Sequence, residues 1–233
     1  MYSSSTQKRF WIFGNKDELT EMRHSVNKTH IDRQENLIWL LTSEEDFLTS
    51  DEEAVFCRIV TETGIRFGDD FRPEMWPSVR WTAFAYFKRF YLKHSVMEYS
   101  PKNVMVACYY LAAKVDEFNV TIDNFVDNLS SGSRESNIET VLTLEPEIML
   151  KLDYYLAVHS PFRSYEGHMI EIKTKMNPMP KFDIESIRPF SKEFFRMCLY
   201  GDVMLLYPPS QIALAAVKYG LDKTIGGMFS RRK

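Results

Sequence analysis

The chain has 233 residues, of which 45% are hydrophobic and 26% are charged, with a formal net charge of -3 and a pI near 6.0. A chain this long and apolar buries a core, which excludes an intrinsically disordered protein. The weak negative charge gives no field that would attract DNA or an anionic membrane, so neither is expected as a direct partner.

Targeting signals and cysteine usage point to a reducing compartment. The start, MYSSSTQKRFWIFGNKDEL, lacks the apolar core of a signal peptide, and the longest apolar run, VMVACYYLAA at 104–113, covers about half a membrane span. Cys57, Cys108 and Cys198 are too few and too far apart for a disulfide framework or a C-x-x-C zinc site. The sequence therefore predicts a cytosolic or nuclear protein.

Helical spacing begins near the N-terminus. Leu19, Met22 and Val26 follow one another at spacings of 3 and 4, which predicts a helix with one apolar stripe. The acidic segment 42–53 is interpreted as a solvated linker and helix start. Ser50 and Glu53 have the spacing of a capping box, so the next helix is predicted over about 51–67.

Four more helices are predicted in the first half of the chain. One follows Pro77 and ends near His94, and one starts at Pro101. The latter carries apolar residues on one face and alanines on others, so neighbouring helices can approach it closely and it is expected at the centre of the domain. A fourth, capped by Thr121, runs through Leu129, and a fifth covers about 135–156.

The chain contains an internal repeat. Shifting the sequence by 108 positions aligns FFRMCLYGDVMLLYPPSQIALAA at 194–216 with YFKRFYLKHSVMEYSPKNVMVAC at 86–108 without a gap. The matched pairs include Phe195 with Phe87, Tyr207 with Tyr99, and Pro209 with Pro101. Two copies of one helical unit are therefore expected.

Catalytic and ligand-binding signatures are absent from the sequence. The five histidines show no metal-ligand spacing, no phosphate-binding glycine motif occurs, and Asp69-Asp70 is interpreted as a loop pair. We therefore expect no catalytic residue, no metal and no cofactor. An all-α enzyme whose site is assembled from distant positions remains an alternative.

Lys114 follows the apolar run YYLAA, and the sequence allows two interpretations of it. Its ammonium could extend to water and complement the negative end of the helix dipole. Alternatively, it could donate hydrogen bonds to carbonyls or a carboxylate of a second protein. Spacing alone does not decide between them.

Several segments together resemble the cyclin box. They are YFKRFYLKHSVMEYSPKNVMVACYYLAAKVDEFNV at 86–120, AVHSPFRSYEGHMIEIKTK at 157–175 and LLYPPSQIALAAV at 205–217, together with the opening MYSSSTQKRFWIF. The resemblance implies an all-α protein with tandem cyclin-box five-helix folds and an N-terminal helix. It divides the chain into an N-terminal helix and linker at 1–48, a first box at 49–160 and a partial second box at 161–233.

The same resemblance implies a function. Cyclins are regulatory subunits without active sites, and this branch of the family activates the cyclin-dependent kinase catalytic subunit of the CDK-activating kinase. The implied partners are that kinase, a RING-finger assembly factor and the TFIIH core, in the nucleus, with roles in the cell cycle and in RNA polymerase II transcription. The alternative is a TFIIB-like tandem cyclin-fold transcription factor or scaffold that binds no kinase.

The family's kinase-contacting residues correspond to particular positions of this chain. The lysine that ends the third helix of the box corresponds to Lys114, followed by Val115 and Glu117 in AAKVDE. The glutamate of the fifth helix corresponds to Glu145, with Glu147 as the second choice. Pro146 lies between them, so the fifth helix is expected to kink or to restart there.

The end of the sequence departs from the family pattern. After the third helix of the second repeat, KYGLDKTIGGMFSRRK stops where a cyclin would continue through two more helices. The second box is therefore expected to be incomplete and to leave apolar faces uncovered.

Overall fold

The structure is a computed structural model that describes residues 2–37, 47–175 and 183–230. Every regular element in these ranges is helical, which confirms the predicted all-α class. The α-helices are α1 Thr6–Phe10, α2 Lys16–Leu37, α3 Ser50–Asp70, α4 Pro77–Phe90, α5 Pro101–Val115, α6 Ile122–Val126, α7 Arg134–Lys151, α8 Phe162–Lys175, α9 Arg188–Cys198, α10 Val203–Leu206 and α11 Pro209–Ser230. Short 3₁₀ helices lie at Tyr2–Ser4 and Ile184–Ile187.

Helices α3 to α7 form the first bundle, and α5 is its central helix, as the sequence predicts. α5 packs against α3, α4 and α7. Ala107, Ala112 and Ala113 are fully buried, and their small side chains allow the neighbouring helices to approach closely. The hydroxyl of Tyr109 donates to the carbonyl oxygen of Gly64 at 2.8 Å, so α5 is also hydrogen-bonded to α3.

The start of α3 lies one residue earlier than predicted. Its capping box joins Thr49 and Glu52, whose side chains each accept a hydrogen bond from the other residue's backbone N–H. The predicted pair of Ser50 and Glu53 is wrong because Glu53 turns inward, where it is 8% exposed and accepts a hydrogen bond from Ser95. A buried carboxylate is not available to cap a helix start.

Several predicted helix ends are too late. α4 ends at Phe90 instead of near His94, and α6 ends at Val126 instead of Leu129. α7 ends at Lys151 instead of about 156, because Asp153 and Tyr154 adopt positive φ angles of 54° and 57°, which a right-handed helix does not allow.

The interpretation of Asp69 and Asp70 as a loop pair is wrong. Both lie in the last turn of α3. The carboxylate of Asp69 forms ion pairs with Arg80 of α4 at 2.6 Å and with Arg196 of α9. Burial alone would raise the pKa of Asp69, but the two guanidinium groups hold it below its ordinary value. The carboxylate therefore connects the two halves of the chain.

Helices α8 to α11 pack as the second bundle, and they repeat the geometry of the first. α11 packs against α8 and α9. It begins at Pro209, just as α5 begins at Pro101, so the 108-residue shift aligns the central helices of the two bundles. Buried residues of α11 include Ile212, Ala213 and Ala216.

The N-terminal segment contacts both bundles. Leu19 of α2 is fully buried, which agrees with the predicted apolar stripe. The backbone N–H of Phe13 donates to the carbonyl oxygen of Leu205 at 2.8 Å. Arg23 forms two hydrogen bonds with Asp202, at 2.8 and 2.9 Å. Because α2 also packs against α3 of the first bundle, the segment joins the two bundles.

Two glycines provide a test of the packing of the second bundle. A methyl group at Gly220 of α11 would lie 2.8 Å from Cβ of Ile187, whereas one at Gly167 of α8 would meet no atom within 4 Å. We expect Gly220→Ala to lower the free energy of unfolding by about 1–3 kcal/mol through overpacking. Gly167→Ala should raise it by roughly 0.5–1 kcal/mol. Urea unfolding followed by circular dichroism measures both, and equal effects would contradict the described packing.

Candidate protein-binding site

The C-terminal end of α5 emerges from the bundle at Lys114. The helix ends at Val115, and the backbone then turns through Glu117, whose φ is 59°. The N–H of Phe118 donates to the carbonyl oxygen of Ala113 at 2.8 Å and closes the turn. Lys114, Val115 and Glu117 are all exposed, so this turn presents two charged side chains and one apolar side chain to solvent.

Lys114 forms an ion pair with Glu145 of α7. Its Nζ lies 2.6 Å from Oε1 of Glu145, and the side chains are 52% and 9% exposed. The ammonium also lies 5.3 Å from the centre of the Tyr110 ring. The structure therefore brings together the lysine and the preferred glutamate, and it leaves the lysine side chain half exposed.

α7 is one helix that passes through Pro146 without restarting. Proline at this position has no N–H to donate to the carbonyl of Leu142. The helical turn after Pro146 is stabilised by a residue outside α7, because the hydroxyl of Tyr99 donates to Oε1 of Glu147 at 2.6 Å. Glu145 and Glu147 thus point to different partners, one to Lys114 and the other to Tyr99.

The helix that carries Glu145, α7, also has a row of exposed apolar side chains. Leu142 is 47% exposed and Leu150 is 59% exposed, and with Pro146 they follow at spacings of four residues. Val115 of α5 is 36% exposed. Sequence reasoning missed the two leucines, although a signal existed: at the helical period they lie away from the apolar stripe of Val141 and Ile148, which the structure buries.

A cleft of about 750 Å³ adjoins the end of α5. Its lining includes Val115, Asp116 and Glu117 from the first bundle, and His159 and Arg163 from the region where the second begins. The carboxylate of Asp116 accepts a hydrogen bond from Thr82, and burial raises its pKa above the ordinary value. Glu117 therefore stands where the open face of the first bundle meets this cleft.

Other kinds of site are not found in the parts of the chain that the structure describes. Within them no three His, Cys, Asp or Glu side chains are grouped so that they could hold a metal ion. The helices in those same ranges are too short or too polar to cross a membrane. An exposed face that combines an ion pair, apolar side chains and a neighbouring cleft is typical of a protein-binding surface.

Two tandem helical bundles with such a face define the cyclin fold, and comparisons with known proteins agree. Residues 72–157 match the family model described as cyclin, N-terminal domain, and residues 160–225 match cyclin C-terminal domain. The chain belongs to the cyclin family.

Particular relatives narrow the class to H-type cyclins. The chain is 38% identical to Cyclin-H of Xenopus laevis, covering 93% of this chain and 67% of that protein. It is 32% identical to Cyclin mcs2 of Schizosaccharomyces pombe, covering 96% of this chain and 70% of that one.

Solved structures also resemble the chain. A chain in the CAK complex of Chaetomium thermophilum, bound to ATP-γ-S, superposes with a TM-score of 0.81 at 27% identity, covering 94% of this chain and 68% of that chain. A chain in the yeast TFIIK (Kin28/Ccl1/Tfb3) complex gives a TM-score of 0.73 at 24% identity, covering 96% and 91%, which shows the shared fold.

The support of α7 next to Pro146 is open to a direct test. Tyr99→Phe removes the hydrogen bond to Glu147, so we expect the free energy of unfolding to fall by about 1–3 kcal/mol, as for hydrogen bonds to charged groups. Tyr110→Phe is the matched control, because the Tyr110 hydroxyl has no hydrogen bond to the described residues. Urea unfolding measures both variants, and equal losses would show that the hydrogen bond of Tyr99 to Glu147 adds nothing beyond an unbonded hydroxyl.

Proposed function

We propose that the chain is the regulatory cyclin subunit of a CDK-activating kinase, which it binds and activates. The observation that carries the proposal is the ion pair of the half-exposed Lys114 with the buried Glu145, on a helix that also carries exposed apolar side chains. The family membership and the likeness to a chain of the CAK complex support it.

The proposed mechanism is a shift in the conformational equilibrium of the kinase. A surface that fits only the inward position of the kinase C-helix favours that position by its differential binding free energy. In that position the kinase's own lysine–glutamate pair holds the ATP phosphates. The cyclin itself breaks no bond and is not an enzyme.

Each site residue has a distinct proposed role. Glu145 holds the Lys114 ammonium in place, so that its remaining donors point to acceptors of the kinase. Val115 adds an apolar contact, and Glu117 contributes a charge at the edge of the cleft. Glu147, which the sequence offered as a second choice for kinase contact, supports α7 through Tyr99.

Leu142 and Leu150 extend the proposed kinase-binding surface along α7. Isolated exposed leucines are ordinary, but these two lie four residues either side of Pro146, which directly follows Glu145 in α7. Interfaces commonly combine an apolar core with a polar rim, so exposed leucines and a neighbouring charged pair can belong to one surface. The predicted site is therefore larger than the five residues that the sequence identified.

We also propose the assembly and domain boundaries implied by the family. The partners are a RING-finger assembly factor and the TFIIH core, in the nucleus. The TFIIK complex in the structural comparison contains three named chains, which is consistent with a cyclin, a kinase and a third protein. The proposed divisions are 1–48, 49–160 and 161–233.

Charge reversal at Lys114 tests the proposal. Lys114→Glu places a carboxylate against Glu145 and removes the donor from the surface, so we expect affinity for the kinase catalytic subunit to fall at least about tenfold. Lys218→Glu is the matched control, since the Lys218 side chain on α11 is exposed, and it should leave affinity unchanged. Calorimetry measures binding, and circular dichroism checks helicity. A parallel loss of helicity and binding would indicate a purely structural lysine.

The apolar part of the surface has its own test. Leu150→Asp should weaken kinase binding about tenfold or more, because it puts an unpaired charge into an apolar contact. Leu150 is 59% exposed, so the free energy of unfolding of the free chain should change by no more than about 0.5 kcal/mol. Leu214→Asp is the control, since Leu214 is 56% exposed on α11. Equal loss of binding in both variants would argue against a kinase face on α7.

A further inference from the structure

A second cavity lies where the N-terminal helix, the first bundle and the second bundle meet. Its volume is about 230 Å³. The walls come from Arg23 of α2, from residues of α3 and α4, and from Tyr200 and Asp202 just before α10. It shares no lining residue with the cleft beside Lys114.

Two buried polar side chains in this cavity make no hydrogen bond to a described residue, although the carboxylate of Asp202 attracts one of them, Lys88. Lys88 is 8% exposed and Thr61 is 3% exposed, and both line the cavity. Within the described residues, neither the ammonium nor the hydroxyl makes a hydrogen bond or an ion pair. Burial accordingly lowers the pKa of Lys88. A buried ammonium without a hydrogen-bond partner is unfavourable, which favours a site that receives an acceptor.

The two carboxylates in the cavity are already engaged elsewhere. Asp202 receives two hydrogen bonds from Arg23, and Glu53 receives one from Ser95. Neither forms an ion pair with Lys88. Burial would raise the pKa of Asp202, but Arg23 and the nearby Lys88 hold it below its ordinary value, so it stays ionised.

The wall carries an excess of one positive charge. Its cations are Arg23, Lys88 and Arg58, and its anions are Glu53 and Asp202. Arg58 is exposed and forms no ion pair with a described residue, so its guanidinium is available at the cavity's edge. A single negative charge neutralises this wall, whereas a dianion would leave an excess negative charge between two carboxylates.

We propose that this cavity binds one carboxylate group, carried by a small free acid or by an acidic side chain of a docked peptide. Lys88 and Thr61 donate to its oxygens from inside, and Arg58 does so from the edge. The Arg23–Asp202 pair fixes the wall that faces them. The site is separate from the kinase-binding surface and does not depend on the proposed function.

The test uses the full chain with ¹⁵N-labelled lysine. Sodium acetate is titrated against sodium chloride at equal ionic strength, while the Lys88 Nζ resonance and the melting temperature are followed. We expect a saturable, acetate-specific shift of that resonance and a rise in melting temperature. Arg58→Gln, an exposed change that should not disturb folding, and Thr61→Val should each weaken acetate binding several-fold. Lys218→Met is the matched control and should leave acetate binding unchanged.

A comparison of two peptides identifies the source of the carboxylate, and three results would reject the site. The peptide Ac-Ala-Glu-Ala-NH₂ is compared with Ac-Ala-Gln-Ala-NH₂, so that binding of the first alone indicates an acidic side chain. Binding of acetate without the peptide indicates a small free acid. The proposal is wrong if neither probe moves the Lys88 resonance, if inorganic phosphate binds more tightly than acetate, or if Arg58→Gln and Thr61→Val bind acetate as the unmodified chain does.

Discussion

The burial of α5 on nearly all sides determines where this protein can meet another. Because small side chains such as Ala107 and Ala113 let α3, α4 and α7 close around it, most of the helix is inaccessible. Only its ends reach solvent. The turn that follows Lys114 is therefore the place where the central helix of the first bundle reaches solvent. A partner that contacts this turn meets side chains whose positions are set by the packing of α5.

α7 completes that surface despite an unfavourable residue. Proline within a helix removes one hydrogen bond and costs about 3 kcal/mol in an isolated helix interior. Here the residues on either side of Pro146 bond to side chains outside α7, Glu145 to Lys114 of α5 and Glu147 to Tyr99 in the connection between α4 and α5. These contacts offset the local cost, so the helix passes the proline with Glu145 turned toward α5. Exposure of Pro146 also leaves a flat apolar position between Leu142 and Leu150.

Much of this could be predicted from the sequence, and the failures have identifiable physical reasons. Helical periodicity and capping signals located α2 and the helices of the first bundle, the repeat paired the helices that begin at Pro101 and Pro209, and the family resemblance paired Lys114 with Glu145. The capping box was misplaced by one residue, because Ser50 and Thr49 offer the same spacing and only burial of Glu53 distinguishes them. The cavity around Lys88 was not predictable, because its walls come from three segments that only the fold brings together.

The junction of the three segments limits how the two bundles can move relative to each other. Arg23 with Asp202 and Asp69 with Arg196 bridge separate parts of the chain with charge-assisted hydrogen bonds, which hold distance and direction better than apolar contacts do. Trp81 and Phe195 pack edge to face between the same bundles. Since the cleft beside Glu117 is lined from both bundles, its shape depends on these bridges. A kinase that contacts both Lys114 and that cleft would therefore bind one continuous surface. The bridges between the bundles fix the position of the cleft relative to Lys114.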